Sequence, residues 1–202
     1  MWKTDINLKE YPTLTRFDIS DGVFGALGRT FMLLTIDLLE NYRPNMGIML
    51  FNPDGRIWLG RRVTGFDVVD PETYVDNYRW QMPQGGIDKG EDFETAAFRE
   101  LKEETGVHSA SLMTITPGWL AYDFPPEYKR KKWRGQRQKW AIMMFTGEDS
   151  EIDIAADDHQ EFDDWRWETL ERAAELVVPF KQAVYQELIA SILPMREWLK
   201  SG

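Results

Sequence analysis

Apolar residues fall into two periods along this chain. Met46 to Phe51 is a short continuous apolar run, followed by Asn52-Pro53-Asp54-Gly55 and then Arg56 to Arg61. Pro with Gly two residues on is turn chemistry, so this stretch predicts a β-hairpin. Trp80-Gln81-Met82 predicts a short strand leading into a glycine loop. From about Asp92 to Thr105 the spacing becomes helical, with Phe98 and Leu101 on the core face and Gly106 as a C′ stop. Ser111–Tyr122, Gln138–Phe145 and Phe162–Trp167 predict strands, the last with Trp165 and Trp167 on one face. Leu170–Leu176 predicts a short helix. Pro179 suits the first turn of a final helix, in which Val184, Leu188 and Ile192 recur every four residues and Pro194 brings an end or a kink.

The remaining stretches predict loops. Val63 to Tyr78 has no clear period, Phe124 to Lys132 contains Pro125-Pro126, and Gly147 to Gln160 is acidic. A loop as long as the first of these is functional or mobile in most compact domains. Strands, a central helix, more strands and terminal helices predict an α/β fold, an α/β/α sandwich around a mixed sheet.

Composition narrows the chemistry. The 202 residues suit one domain with an appendage, and 43% apolar content supplies a sizeable core. No cysteine is present, which removes disulfides and thiolate metal sites, and two histidines make a histidine zinc site a poor expectation. Any metal is expected on oxygen. Lack of cysteine fits a cytoplasmic location. A formal net charge of −10 argues against broad nucleic-acid binding, so DNA is not expected as a partner and any RNA must be gripped locally. Residues 1–38 hold no membrane span or signal peptide. They are expected to be an N-terminal extension to a domain over 39–202: a short packed helix, a partly disordered leader, or a segment upstream of a natural start at Met32.

The predicted helix places Glu100, Glu103 and Glu104 at i, i+3 and i+4, on one face. Two carboxylates ~5–6 Å apart repel by roughly 3 kcal/mol at an effective dielectric near 20. Either the three splay into water as a solvated acidic face, or a positive group sits among them. A hard divalent cation takes oxygen ligands and fits the second reading.

The stretch Gly85 to Val107, GGIDKGEDFETAAFRELKEETGV, resembles the Nudix box, G-x5-E-x7-R-E-U-x-E-E-x-G-U with U aliphatic. Gly85, Glu91, Arg99, Glu100, Leu101, Glu103, Glu104, Gly106 and Val107 all fall in register. Further segments resemble one branch of this superfamily, the RNA pyrophosphohydrolases and asymmetric diadenosine tetraphosphate hydrolases. They are Tyr42-Arg43-Pro44-Asn45, Trp80 to Gly86, Trp119-Leu120-Ala121-Tyr122, Gly135 to Trp140, Glu161 to Trp167 and Phe180-Lys181. Residues 1–38 lie outside the likeness, and loop 63–78 departs from the shorter bacterial pattern.

The resemblance implies a Nudix fold, a hydrolase acting on phosphoanhydride bonds, and two or more Mg²⁺ or Mn²⁺ ions. It implies Glu100, Glu103, Glu104 and Glu161 as metal ligands, one of them the general base. Arg99 is expected to pair with Glu91 or a box glutamate and orient it. Arg43, Arg62, Tyr122 and Lys181 are implied as phosphate or RNA-end contacts, and Phe180 as a base-stacking ring. On residue type alone other readings stand. Glu161 follows six acids between Glu148 and Asp158 and would be a solvated loop residue. Phe180 lies four before Val184 and would pack in the core, as would Tyr122.

Lys129, Arg130, Lys131, Lys132, Arg134, Arg137 and Lys139 put seven cations into eleven positions. The run is either a solvated loop or a device that draws in polyphosphate. The resemblance implies a 5′-triphosphate or diphosphate RNA end as substrate, trimmed to monophosphate. The alternative is diadenosine tetraphosphate split to ATP and AMP, toward which Tyr122-Asp123-Phe124-Pro125-Pro126 leans. A nucleotide-binding module without turnover would show a lost box residue, and none is lost.

Overall fold

A computed structural model of the chain describes residues 39–63, 78–126 and 132–200, with the side chains of 194–200 excepted. The expectations for segment 1–38 and for most of loop 63–78 lie outside the described residues.

Among the described residues, eight strands form one mixed sheet. They are β1 (Tyr42–Phe51), β2 (Ile57–Arg62), β3 (Trp80–Gln81), β4 (Gln84–Gly86), β5 (Ala110–Ile115), β6 (Leu120–Asp123), β7 (Gly135–Phe145) and β8 (Phe162–Glu168). The helices are α1 (Phe93–Thr105), α2 (Leu170–Leu176) and α3 (Pro179–Lys200). The expected hairpin is β1–β2, closed by the Asn52 side chain, which accepts from the Asp54 and Arg56 amides at 3.1 and 2.9 Å.

At the centre β1 runs parallel to β7 in unbroken register from Tyr42↔Gly135 to Phe51↔Met144. A strand covered on both faces reads as a continuous apolar run, as Met46–Phe51 does. Its side chains alternate between two cores. Met46, Ile48 and Leu50 meet Ala96, Ala97 and Leu101 of α1. Met49 and Phe51 belong with Val184, Tyr185 and Leu188 of α3. The sheet between these helix layers is the expected sandwich. Ala96 and Ala97 are fully buried in the first core, so their small size serves close approach of helix to sheet.

Helix α1 is bounded by local chemistry. The Asp92 carboxylate accepts from the Thr95 amide at 2.9 Å, and Gly106 adopts φ 73° and donates to the Lys102 carbonyl. Three expectations are corrected. Ser111–Tyr122 is two strands, because the Pro117-Gly118 corner separates β5 from β6, and both pair with β7. Strand β7 begins at Gly135, three residues before Gln138, because its first residues pair with both β1 and β6. Of the end or kink expected at Pro194, the end does not occur, and helix α3 continues to Lys200; the missing N–H forfeits one bond in a 22-residue helix.

Candidate active site

Arg99 is the hub of the glycine loop and helix α1. Its Nε and Nη2 donate to the two Glu91 oxygens at 2.8 Å each, and Nη2 also donates to the Gly86 carbonyl at 2.9 Å. Its Nη1 donates to Glu100 at 2.7 Å and to Glu103 at 3.0 Å. A guanidinium has five N–H donors, and these five bonds use them all. Arg99 therefore orients carboxylates and lies outside the cleft lining. The bond from Arg99 also holds the Glu91 carboxyl below its ordinary range.

The cleft has a volume of about 290 Å³ and gathers residues from most of the sheet and two helices. Glu100 and Glu104 reach it from adjacent turns of α1, and Glu161 from the loop before β8. Burial raises the pKa of Glu100, with Arg99 opposing. Glu104 is raised well above the usual carboxylate value, first by burial and then by the charges of Glu161 and Glu100, against the 2.9 Å bond it accepts from the Gln84 amide. Glu161 pairs with Arg62 at 2.9 Å. On the cationic side are Arg43, Arg62 and Lys181. Lys181 is only 3% exposed and donates to Gln81 Oε1 at 3.0 Å. Burial, then the nearby Arg62 charge, push its ammonium down to about 7.

Phe180 and Tyr122 line the same cleft, their rings 5.5 Å apart. The Tyr122 hydroxyl donates to Gln136. Of the expected site residues, Glu100, Glu104, Glu161, Arg43, Arg62, Tyr122, Phe180 and Lys181 are brought together. Glu103 is not: its carboxylate turns to Arg99 and its side chain is 45% exposed. The described part of the basic run also differs from the expectation. Arg134 pairs with Asp123 at 2.8 Å, and buried Lys139 donates to the Thr116 and Pro117 carbonyls.

Sequence reasoning assigned no role to Asn45, Gln84, Gln136 and Phe124, which line the cleft. A signal existed for one of them. On β7, Gln136 and Gln138 precede Trp140 and Ile142 at period two, so a buried apolar face becomes polar at one end.

Among the described residues no three His, Asp or Glu side chains stand so that they could hold a metal ion as arranged. The donor set still suits a hard divalent cation. It is all oxygen, two of its carboxylates are buried, and their repulsion with Glu161 is the kind a cation relieves.

The NUDIX domain profile matches residues 41–188, so the chain belongs to the NUDIX domain family. It is 52% identical over 155 residues to a Caulobacter vibrioides protein named RNA pyrophosphohydrolase, covering 74% of this chain and 85% of that one. It is 46% identical over 155 residues to a Rhodospirillum rubrum protein of the same name, covering 75% and 87%. Among solved structures, the dihydroneopterin triphosphate pyrophosphohydrolase of E. coli superimposes with a TM-score of 0.54 at 16% identity, over 75% of this chain and 99% of that one. The MutT protein of Methanosarcina mazei Go1 gives 0.51 at 15% identity, over 75% and 96%. At these identities the two structures speak for the fold alone.

Proposed function

We propose that this NUDIX hydrolase converts 5′-triphosphate and diphosphate ends of RNA to 5′-monophosphate, in the cytoplasm, with residues 39–202 as the catalytic unit and 1–38 as an extension. A pyrophosphate-cleaving hydrolase is the class that the family and the relatives at 52% and 46% identity support. The observation that carries the reading is the two-sided cleft, with Glu100, Glu104 and Glu161 facing Arg43, Arg62 and Lys181.

In this reading Glu100, Glu104 and Glu161 would hold Mg²⁺ or Mn²⁺. When bound, the cation supplies charge neutralisation and acidifies water. Arg43, Arg62 and Lys181 bind the non-bridging oxygens and offset the charge that grows on them during attack. The Tyr122–Phe180 pair offers an aromatic face for the terminal base. One of the carboxylates that would share the cation would accept the proton of the attacking water, and the three titrate as a group. Arg99 keeps Glu91, Glu100 and the glycine loop in one arrangement.

The second reading is hydrolysis of diadenosine tetraphosphate. It is favoured by Phe124, which lies 6.0 Å from Tyr122 and lines the cleft together with Phe180, enough ring surface for a nucleoside. The deciding experiment supplies triphosphate-ended RNA and diadenosine tetraphosphate side by side with Mg²⁺ and compares kcat/KM. Faster release of pyrophosphate or phosphate from RNA supports the first reading, and faster formation of ATP and AMP replaces it with the second. No product from either would leave a nucleotide-binding module.

A further inference from the structure

The cleft floor holds amides as well as charges. Asn45 of β1 stands directly opposite Gln138 of β7 in the parallel ladder, and Gln84 of β4 pairs with Gly47 across β1. Gln138 is fully buried and does not line the cleft. Its Nε2 donates to Asn45 Oδ1 at 3.3 Å and to Gln84 Oε1 at 2.9 Å. Gln136, two residues earlier on the same face, accepts the Tyr122 hydroxyl through its own Oε1. Asn45, Gln84 and Gln136 all line the cleft.

A side-chain amide has an acceptor oxygen at one end and two N–H donors at the other. In each of the three lining amides the oxygen is engaged by a donor within the protein. The end left to face the cleft is the NH₂. For two of them this polarity is set from behind, by Gln138. Its own Oε1 is buried without a hydrogen-bond partner among the described residues. The reversed orientation would bury an unpaired NH₂ instead, and orphaned buried donors are rarer than under-used carbonyl oxygens. Neutral donors also have a use beside Arg43, Arg62 and Lys181. They bind anionic oxygen without adding a positive charge that would pair with Glu100, Glu104 or Glu161.

We propose that Gln138 is a positioning residue for substrate. By accepting nothing and donating to both Asn45 and Gln84, it fixes the cleft floor as a surface of N–H donors for the non-bridging oxygens of an oligophosphate. This rests on the functional reading above only for the class of substrate.

Contacts to phosphate oxygens made before and during reaction alter KM rather than kcat. The test measures both, with melting temperature, on triphosphate-ended RNA and Mg²⁺. In Gln138→Glu, assayed at a pH high enough to ionise the buried carboxyl, the new group can only accept, so Asn45 and Gln84 turn their NH₂ groups inward and their oxygens toward the substrate. KM is expected to rise about tenfold, with the loss falling on KM and not kcat. Gln138→Met keeps the volume and leaves the amides free to turn, so a smaller rise, roughly threefold, is expected. Asn45→Asp keeps the acceptor that Gln138 needs and removes one donor to the cleft, so it should raise KM, and its buried carboxylate should lower the melting temperature as well. An unchanged KM in Gln138→Glu overturns the proposal. So does an equal fall of kcat and stability in both Gln138 variants, which marks a purely structural role. If neither Gln138 variant folds, a wild-type KM in Asn45→Asp overturns it alone. If wild-type enzyme ignores triphosphate-ended RNA, the substrate assignment fails first, and the same KM comparison is made on diadenosine tetraphosphate, which carries the same class of oxygens.

Discussion

The carboxylate of Glu100 fills the space where a side chain at Gly85 would stand. A Cβ on Gly85 would lie 1.8 Å from Glu100 Oε2 and 2.0 Å from its Cδ. The first glycine of the box is thus required by a neighbour fifteen residues on, whose carboxylate could be displaced at little cost to the fold because it ends a flexible chain. Gly85→Ala is expected to cost under about 1 kcal/mol in urea unfolding. On the proposed function it should lower kcat/KM by about 10²-fold, because a carboxylate moved by an ångström from its place no longer serves the chemistry.

Arg99→Lys retains the charge and loses the fork. An ammonium has three N–H groups for the five acceptors that Arg99 serves on Glu91, Glu100, Glu103 and Gly86. Urea unfolding should show a loss of about 2 kcal/mol, and kcat should fall as Glu100 and the glycine loop separate.

Glu104→Gln should be inactive and more stable than the wild type. In the fold the Glu104 carboxyl is raised above its unfolded value, so its contribution is present below the unfolded pKa of 4.5 and is lost as pH rises through the folded value. At pH 7.5 wild-type protein carries that penalty, whereas the amide does not and can still accept from the Gln84 N–H. Without divalent ions the variant should melt higher. Adding Mg²⁺ should raise the wild-type melting temperature and leave the variant nearly unmoved.

Lys181 should make binding and stability run in opposite directions with pH. Its ammonium titrates at about 7 in the fold, from an ordinary 10.5. Between these values the unfolded chain binds more protons, so the contribution to stability rises with pH from 7 to 10.5. The cationic form, which in the proposed function binds phosphate, is lost over the lower part of this range. A plot of kcat/KM against pH should contain a limb that falls above about 7, absent in Lys181→Arg. Lys181→Met should melt higher than wild type at pH 7, by a margin that shrinks toward pH 10.

Much of this was legible from local signals. The hairpin around Asn52-Pro53-Asp54-Gly55, the helix between Asp92 and Gly106, and Leu170–Leu176 are each set by caps, turn residues or spacing within a few positions. The box glutamates announced themselves because charge repulsion at i, i+3 and i+4 demands an explanation. What was hidden depends on the third dimension. Glu103 has the same spacing as its neighbours, yet Arg99 draws it away from the cleft. Lys139 sits in a basic run and is buried against two carbonyls, because β7 turns alternate residues inward. Asn45, Gln84 and Gln138 are unremarkable along the chain and acquire meaning only when β1, β4 and β7 lie side by side.

The pairing of β1 with β7 also dictates when the enzyme can exist. Asn45 and Gln138 are ladder partners separated by 93 positions, and antiparallel hairpins near either one cannot substitute for that long-range contact. A nascent chain that has released its glutamate helix but not β7 has Glu100 and Glu104 without the cleft floor beneath them. Hydrolytic competence should therefore arrive late and all at once during synthesis, after the last strands and α3 have left the ribosome, with no partially active fragment on the way.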